Sequence, residues 1–277
     1  MTVFPIAKIN LGLNVVERRP DGYHNLQTVF YPVPIKDALE VQQMDASFPS
    51  ENPCDLKVTN IQIEGNEQRN LVVRAYNLLK KDFPEMPRIH AHLWKAIPTQ
   101  AGMGGGSSDA AYMILLLNNM FSLGLSQEEM VSYAAQLGAD CAFFIISHPC
   151  YAEGIGEQLY PIDIDLKGWN LCIVRPDIPV STKEAFSLIH PHHPAYHCRD
   201  VVKQPIETWE GRLVNDFEES VFALHPEIGG IKEKLYKIGA SYAAMTGSGS
   251  ALFGLFKDVP EQFAHEFPNM FTYSCAL

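Results

Sequence analysis

Residues 98–111 constrain the fold of this chain more than any other stretch. They read PTQAGMGGGSSDAA, with four glycines within five positions, and run directly into the apolar segment 110–117. Glycine tolerates positive φ and lets a ligand approach the backbone amides without a Cβ in the way. A helix that begins at Ser107 or Ser108 would leave its first N–H groups unpaired at the positive end of its dipole. The stretch therefore predicts a phosphate-binding loop, against the alternative of a plain glycine-rich turn before a core helix.

The residues of this loop do not match the sequence patterns of two common phosphate-binding loops. The Walker pattern requires Lys and then Ser or Thr after its last glycine, whereas Gly106 is followed by Ser107. The dinucleotide fingerprint G-x-G-x-x-G requires a final glycine where this chain has Ser107, counted from Gly102, or Asp109, counted from Gly104. The loop is therefore of a third kind.

Composition limits the classes of partner. The 277 residues include 21 Lys and Arg against 32 Asp and Glu, a net charge of −11. This excludes a nonspecific nucleic-acid binder, because such proteins need a basic face. Six cysteines without a C-x-x-C pair indicate reduced thiols. The first residues lack the pattern of a signal peptide, and no apolar run reaches the length of a membrane span. We therefore expect a cytoplasmic monomer or weak homodimer with no nucleic-acid or membrane partner.

Alternation and turn signals predict mixed strands and helices. Alternating polar positions along residues 3–16 predict a strand with one exposed face, and Ser126 with Glu129 predicts a capping box. Further strands are predicted over 26–31, 38–42, 56–64, 89–95, 151–153, 157–161, 169–174 and 251–256, and helices over 71–83, from 107 or 108 to 121, 126–137, 207–222 and 226–238. Because strands and helices do not alternate strictly, the predicted fold class is α+β and not a doubly wound sheet. A composition shift near 150–160 predicts two domains, 1–155 and 156–277.

Three motifs occur in the order typical of one enzyme family. They are AKINLGL at 7–13, the loop 98–111 and MTGSG at 245–249. With these motifs the chain resembles the GHMP family of small-molecule kinases. Further cues resemble the branch of that family that acts on 4-diphosphocytidyl-2-C-methyl-D-erythritol, namely RPDGYH at 19–24, NLV at 70–72, the triple glycine 104–106, GAD at 138–140 and NDFE at 215–218.

This resemblance implies both a fold and a reaction. The fold is the two-domain GHMP-kinase fold, with the active site in the cleft between the domains. The reaction is transfer of the γ-phosphoryl group of ATP to the 2-hydroxyl of the methylerythritol unit, a step of nonmevalonate isoprenoid precursor biosynthesis. Mg²⁺ would arrive with ATP and be held mainly by phosphates. Ser107 or Ser108 is the candidate to supply it with a protein oxygen, and no dedicated metal site is expected.

The resemblance also assigns two catalytic residues. Asp140 matches the family's catalytic aspartate and would accept the proton of the hydroxyl. Lys8 matches its partner lysine, which would keep Asp140 ionised and compensate charge on the transferring group. From the residues alone, Lys8 could be a solvated strand residue, and Asp140 could belong to a plain helix-to-strand turn. Family members often have Val-Pro after this aspartate, whereas this chain has Cys141 and Ala142, so a fixed φ after the base is absent.

The remaining site residues follow from the resemblance as well. On the ATP side they are Asn70 and Lys95, near adenosine, and Pro98, Gly102, Met103, Gly104, Gly105, Gly106, Ser107 and Ser108 around the phosphates. On the substrate side they are Asn10, for the polyol, Tyr23, His24 and Phe186, for a cytosine stacked between rings, and Thr182, Thr246 and Gly247. Phe186 could also be a core phenylalanine, and the glycines after Thr246 could form a tight turn alone.

Two alternatives stay open at the level of sequence. Residues 190–198 carry four histidines and Cys198, enough for a metal, but their prolines and irregular spacing favour a solvated loop. The function could instead be that of another kinase of the family, acting on homoserine, mevalonate or a sugar, or that of a noncatalytic nucleotide-binding protein.

Overall fold

The computed structural model describes residues 1–63 and 65–277. The strands are β1 (Thr2–Val3), β2 (Ile6–Arg18), β3 (His24–Lys36), β4 (Ala38–Gln43), β5 (Cys54–Asn60), β6 (Ile89–Lys95), β7 (Cys150–Glu153), β8 (Gln158–Pro161), β9 (Asn170–Arg175), β10 (Tyr242–Met245), β11 (Leu252–Phe256) and β12 (Phe271–Ala276). The helices are α1 (Leu71–Asp82), α2 (Gly105–Met120), α3 (Gln127–Ala135), α4 (Cys141–Ile146), α5 (Thr182–Ala185), α6 (Cys198–Val201), α7 (Phe217–Leu224), α8 (Pro226–Lys237) and α9 (Phe263–Glu266), with 3-10 turns at Glu67–Arg69 and Ile206–Thr208. The strand predicted over 56–64 ends at Asn60, and Glu64 lies outside the described residues.

The described strands form three four-stranded sheets, ordered β1-β4-β6-β5, β2-β3-β7-β8 and β10-β11-β9-β12. β5 and β6 pair in parallel, whereas β4 pairs with β6, and β9 with β11, in antiparallel fashion. This mixture of sheets and helices confirms the predicted α+β class. None of the helices in the described ranges is both long and apolar enough to span a membrane.

Contacts divide the chain into two compact units, each discontinuous in sequence. The first unit comprises 1–8, 32–99 and 104–148, and the second comprises 9–31, 100–103 and 149–277. The chain therefore passes from one unit to the other after Lys8 and again on both sides of residues 100–103. The division into domains 1–155 and 156–277 stays a prediction.

The buried helix of the first unit is α2. Its apolar run is covered on most sides, since Ala111, Met113, Ile114 and Leu117 are all 0% exposed. It packs against α1, α3 and α4, as expected of a helix that is apolar nearly all round. This packing fixes the N-terminus of α2, where the phosphate-binding loop ends.

In the second unit, one apolar core joins β2 and the β10-β11-β9-β12 sheet to α7 and α8. It includes Leu13, Val15, Val174, Phe217, Val221, Leu235, Leu252 and Phe256. Trp209 is fully buried and lies edge-on against Tyr242, with ring centroids 5.4 Å apart.

The exposed face predicted for the first long strand is wrong. Lys8 and Asn10 of β2 are each only 2% exposed, and most of the strand is covered on both faces. Buried polar side chains need partners, because desolvation without a hydrogen bond or a counter-charge is costly. The alternation along β2 thus marks a buried polar row, which is found again in the candidate site.

Two helix predictions are also wrong at their starts. The helix predicted from Ser107 or Ser108 begins at Gly105. The helix predicted over 207–222 begins only at Phe217, after the 3-10 turn Ile206–Thr208 and an irregular stretch in which Gly211 has a φ of 70°. A residue in the left-handed conformation cannot continue a right-handed helix. The residues before Gly211 therefore do not belong to α7, in spite of their apolar pattern. The pattern also gave no sign of β10 or β12.

Candidate active site

The phosphate-binding loop ends in the first turn of α2. Gly104 is the N-cap of this helix and adopts a left-handed conformation, with φ 70° and ψ 17°. The N–H of Ser108 donates to the carbonyl of Gly104 at 2.9 Å. Helix geometry then leaves the N–H groups of Gly105, Gly106 and Ser107 without an intrahelical acceptor. These donors, at the positive end of the helix, fit an anionic phosphate group.

Lys8 lies beneath this turn. A Cβ on Gly104 would lie 2.8 Å from Cζ of Phe144 and 3.3 Å from Cε of Lys8, so the backbone rests on these two side chains. The Nζ of Lys8 lies 3.3 Å from Oδ2 of Asp140, and the Lys8 side chain is 3% exposed against 32% for Asp140. This burial excludes the alternative that Lys8 is a solvated strand residue. The pair presents its carboxylate, rather than its ammonium, to solvent.

Asp140 is fixed by the helix that follows it. It is the N-cap of α4, with φ −75° and ψ −15°, and the N–H of Cys141 donates to the carbonyl of Gly138 at 3.1 Å. Cys141 and Ala142 are both 0% exposed. The backbone after Asp140 is therefore held by helical packing, which does without the proline found in many family members.

A second lysine, Lys95, is enclosed in an ion triad. Its ammonium contacts the carboxylate of Asp37 and lies 2.7 Å from Oδ2 of Asp109. The Oδ1 of Asp37 accepts the N–H groups of Ala96 at 2.6 Å and Ile97 at 2.8 Å. Lys95, Asp37 and Asp109 are each at most 2% exposed. The predicted contact between Lys95 and adenosine is not supported by this geometry, because the ammonium is buried and already bound to two carboxylates.

The triad holds two carboxylates against one ammonium, and the geometry indicates which of them keeps its proton. Asp37 accepts two backbone N–H groups and contacts Lys95, whereas Oδ1 of Asp109 has no hydrogen-bond partner among the described residues. Burial raises the pKa of Asp109. The nearby Lys95 lowers this pKa, but only in part, and the nearby Asp37 raises it further. Burial opposes protonation of Lys95, but Asp109 and Asp37 outweigh it and raise the pKa of the ammonium. We infer that Asp109 is the member of the triad that holds an extra proton, beside the Lys95 ammonium.

Other residues predicted on the ATP side support the loop. The side-chain oxygen of Asn70 accepts the N–H of Val72 at 2.9 Å and caps α1. A Cβ on Gly106 would lie 3.8 Å from Cδ1 of Leu71, so the start of α1 adjoins the loop. Pro98 and Met103 are buried. Contact of these residues with ATP stays a prediction.

The second glycine motif forms a turn, residues 246–249, which we call the glycine turn. A Cβ on Gly102 would lie 1.9 Å from the carbonyl oxygen of Thr246, and one on Gly247 would lie 2.9 Å from the carbonyl oxygen of Gly102. The hydroxyl of Thr246 also donates to the carbonyl of Gly102 at 3.2 Å. The glycine turn therefore packs backbone to backbone against the start of the phosphate-binding loop. Only glycine leaves room for such an approach.

Asn10 belongs to a network on the same turn. Its backbone N–H donates to Oγ1 of Thr246 at 3.0 Å, and its amide donates to Oγ1 of Thr28 at 2.8 Å. The hydroxyl of Thr28 donates in turn to the carbonyl of Gly12 at 2.5 Å. These bonds join β2 and β3 to the glycine turn. The hydrogen bond from Asn10 to a polyol stays a prediction.

The aromatic residues predicted for cytosine are arranged differently from the expected pair of rings. His24 stacks on Phe186, with ring centroids 4.7 Å apart and planes 19° apart. Phe186 also packs edge-on against Phe217 at 4.7 Å, so it is both a stacking platform and part of the core edge. Tyr23 is 61% exposed, and Thr182 is exposed at the start of α5. Burial, with a contribution from Arg18, lowers the pKa of His24, which favours a neutral stacking ring.

The histidine-rich loop 190–198 gains no support as a metal site. Within the ranges that the structure covers, no group of three or more His, Cys, Asp or Glu residues could hold a metal ion. The backbone N–H of His192 donates to the carbonyl of Val15 at 3.0 Å, and Cys198 is buried at the start of α6.

Several residues of the site carried no sequence signal of their role. Asp37 lies outside every motif, and Thr28 lies in an ordinary strand pattern. Asn215 was only a cue of the family branch, yet its amide contacts the glycine turn. A carboxylate or amide reveals such a role only when its partners, which are 30 or more residues away in sequence, are known.

Comparisons with known proteins point to one family. The family model described as "GHMP kinases N terminal domain" matches residues 70–148, and the one described as "GHMP kinases C terminal" matches residues 205–272. The chain is 54% identical over 257 residues to the 4-diphosphocytidyl-2-C-methyl-D-erythritol kinase of Bacteroides thetaiotaomicron, covering 93% of this chain and 92% of that relative. It is 48% identical over 277 residues to the enzyme of the same name from Bacteroides fragilis, covering 100% of both.

Solved structures agree with this relationship. A crystal structure of 4-(cytidine 5'-diphospho)-2C-methyl-D-erythritol kinase matches with a TM-score of 0.81 and 27% identity, covering 99% of this chain and 98% of the other. Homoserine kinase from Cytophaga hutchinsonii matches with a TM-score of 0.68 at 13% identity, covering 98% and 93%, a likeness of fold alone.

Substituting Gly102 by Ala will destabilise the protein by about 3 kcal/mol or more. The new Cβ would meet the Thr246 carbonyl oxygen at 1.9 Å, at a φ of 71° that disfavours any side chain. Gly106→Ala is the matched control, since its Cβ would meet only Cδ1 of Leu71 at 3.8 Å and alanine favours the helix. Urea denaturation measures both, and similar small effects would contradict the backbone contact.

The stability of the wild-type protein will fall with rising pH through Asp109. Because burial raises the pKa of Asp109 in the folded protein above its ordinary value of 3.8, the native state binds a proton that the unfolded state has lost. This pH dependence disappears in Asp109→Asn, because the amide mimics the neutral acid at every pH. Between about pH 5 and the raised pKa, the variant will gain on the wild type by about 1 kcal/mol per pH unit. Denaturation at several pH values tests this, with the exposed Asp163→Asn as control; parallel profiles for wild type and Asp109→Asn would contradict it.

Proposed function

The chain belongs to the GHMP kinase family, and on this premise we propose that it transfers the γ-phosphoryl group of ATP to the 2-hydroxyl of 4-diphosphocytidyl-2-C-methyl-D-erythritol. The reaction places the chain in nonmevalonate isoprenoid precursor synthesis. The observation that carries the chemistry is the Lys8–Asp140 ion pair beneath the first turn of α2. The choice of acceptor rests on relatives of that name with up to 54% identity over 93% of the chain.

In the proposed mechanism, Asp140 acts as the base. The hydroxyl oxygen of the acceptor attacks the γ-phosphorus, the bond from that phosphorus to the β,γ-bridging oxygen breaks, and the hydroxyl proton passes to Asp140. A carboxylate that is 32% exposed can meet an acceptor, and the ammonium of Lys8, 3.3 Å away, compensates its charge. Phosphoryl transfer depends mainly on alignment and charge compensation, which the N–H groups of Gly105 to Ser107 and the ammonium of Lys8 would supply.

Mg²⁺ fits this site as an ion held mainly by ATP. The Oγ of Ser108 is buried and has no hydrogen-bond partner among the described residues, and Ser107 beside it is half-buried. A hydroxyl oxygen and phosphate oxygens suit a hard cation, whereas the described residues hold no cluster of acidic or histidine ligands for a dedicated cage. Bound with ATP, the ion would neutralise charge on the phosphates.

The acceptor-binding side of the proposal assigns cytosine to Tyr23, His24 and Phe186, and the polyol to Asn10 and Thr246. The stacked pair of His24 and Phe186 supports an aromatic platform. Of the alternatives, a noncatalytic nucleotide-binding protein is disfavoured because Lys8 and Asp140 are both present and paired. The cytoplasmic location and the monomer or weak homodimer stay predictions.

An acceptor panel tests the proposed function. The protein is incubated with Mg-ATP and, separately, 4-diphosphocytidyl-2-C-methyl-D-erythritol, homoserine, mevalonate and galactose, and ADP release is followed. We expect release above the ATP-only background with the cytidyl compound alone. Turnover of another acceptor in its place would support the rival kinases, and ATP binding without turnover of any acceptor would support the noncatalytic alternative.

Asp140→Asn will lower kcat by about 100-fold to about 10,000-fold, because the amide cannot accept the hydroxyl proton. The affinity for ATP, measured by calorimetry, will change little. Asp55→Asn is the matched control, since Asp55 is a carboxylate of similar exposure, 40%, in a contact with His90. An unaltered kcat in Asp140→Asn would remove this residue from the chemistry.

A further inference from the structure

The NDFE segment, residues 215–218, has no part in the proposed mechanism, yet its first residue is almost wholly buried. Asn215 is 2% exposed. At this point the chain runs beside β2. The N–H of Leu13 donates to the carbonyl of Val214 at 2.8 Å, and Leu13 and Asn215 form an isolated parallel β-bridge. A buried amide at such a position requires partners for both of its donors.

Asn215 finds those partners on the glycine turn. Its Nδ2 donates to the carbonyl of Met245 at 2.7 Å and to the carbonyl of Gly247 at 2.9 Å. Its Oδ1 accepts the N–H of Phe217 at 3.1 Å. Both amide hydrogens and the amide oxygen are therefore used. Aspartate has the same size but lacks the two donors, so the turn selects asparagine by chemistry as well as by shape.

Glu218 holds the other side of the same turn. Its Oε1 accepts the N–H of Met245 at 2.7 Å, and its Oε2 lies 2.6 Å from Nζ of Lys232. Burial raises the pKa of Glu218, against the opposing Lys232. Met245, the last residue of β10, is thus held through its carbonyl by Asn215 and through its N–H by Glu218.

Asn215 and Glu218 hold the glycine turn, and the start of the phosphate-binding loop packs against this turn. Gly247 approaches the backbone of Gly102, and Thr246 bonds the carbonyl of Gly102 at 3.2 Å. Gly102 precedes by two residues the N-cap Gly104. A shift of the Met245 and Gly247 carbonyls would therefore move the support of Gly102 directly.

We propose that Asn215 and Glu218 are positioning residues for phosphoryl transfer, which act on ATP through the glycine turn and Gly102. This rests on the proposed function. Catalysis by alignment is sensitive to displacements of about 1 Å, which cost about 100-fold in rate. Loss of the Asn215 donors removes the hydrogen bonds to the Met245 and Gly247 carbonyls and so loosens the turn.

The test compares Asn215→Asp, which is nearly isosteric, with Asn215→Ala and with the pair Glu218→Ala and Glu218→Gln. Asn170→Ala is the matched control, because Asn170 also donates an amide N–H to a backbone carbonyl, that of Lys257, at 2.8 Å. For each variant, kcat, the KM for ATP, the KM for the cytidyl acceptor and the thermal midpoint are measured at a temperature where the protein is folded.

We expect both Asn215 variants to lower kcat by about tenfold or more and to raise the KM for ATP by about fivefold. The KM for the cytidyl acceptor will rise less than the KM for ATP, although Thr246 of the same turn is assigned to the polyol. Glu218→Gln keeps an oxygen for the Met245 N–H and will retain most of the wild-type kcat, although loss of the charge beside Lys232 lowers its thermal midpoint. Glu218→Ala will lose kcat as the Asn215 variants do. Asn170→Ala will match the wild type in every kinetic constant.

A purely structural role predicts a different pattern. Variants with lowered thermal midpoints but wild-type kcat and KM for ATP would overturn the proposal, and so would a rise in the KM for the cytidyl acceptor with the KM for ATP unchanged. The wild-type control distinguishes failure of this proposal from failure of the proposed function. If the proposed function is wrong, the wild-type protein itself will show no ADP release with the cytidyl acceptor.

Discussion

The first turn of α2 sets requirements that much of the first unit meets. Its N–H groups have no intrahelical acceptor and can bind an anion or water, so the outer side of the turn must stay open while its underside is filled. Phe144 and Lys8 fill it beneath Gly104, and Ile97 with Lys95 fill it beneath Gly105. In an acidic chain, with a net charge of −11, the unpaired N–H groups of this turn and the nearby ammonium of Lys8, itself paired with Asp140, are the positive groups placed where a phosphate would bind.

The two lysines differ in how their charge is compensated. Lys8 has its partner Asp140 at 3.3 Å, and that carboxylate is 32% exposed, so the pair can respond to a reacting group. Lys95 is enclosed with Asp37 and Asp109, all at most 2% exposed, and it links β6 to α2 from within. The open pair suits chemistry. The closed triad suits support, because charges that water cannot reach must be neutralised inside the protein.

In the second unit, the decisive constraint is a contact between backbones. Gly102 and Gly247 approach so closely that neither admits a Cβ, and the carbonyl groups of Met245 and Gly247 are fixed by Asn215. Polar groups buried at such a contact must all be paired, which explains why an asparagine, a threonine and a glutamate surround two glycines. The side chains hold the turn, and the turn holds the start of the loop.

A glycine-rich loop before a helix, the α+β class and the family could all be predicted from the sequence, since glycine spacing, helix caps and ordered motifs are local properties of the chain. Prediction from the sequence failed where a side chain's meaning depends on distant partners. The polar row of β2 resembled an exposed face but is buried, and the helix predicted from residue 207 begins only at Phe217. The contacts of Asp37 and Asp109 with Lys95, and those of Asn215 with the glycine turn, are visible only in the tertiary structure. Burial and pairing arise from segments that meet in space and leave no pattern along the sequence.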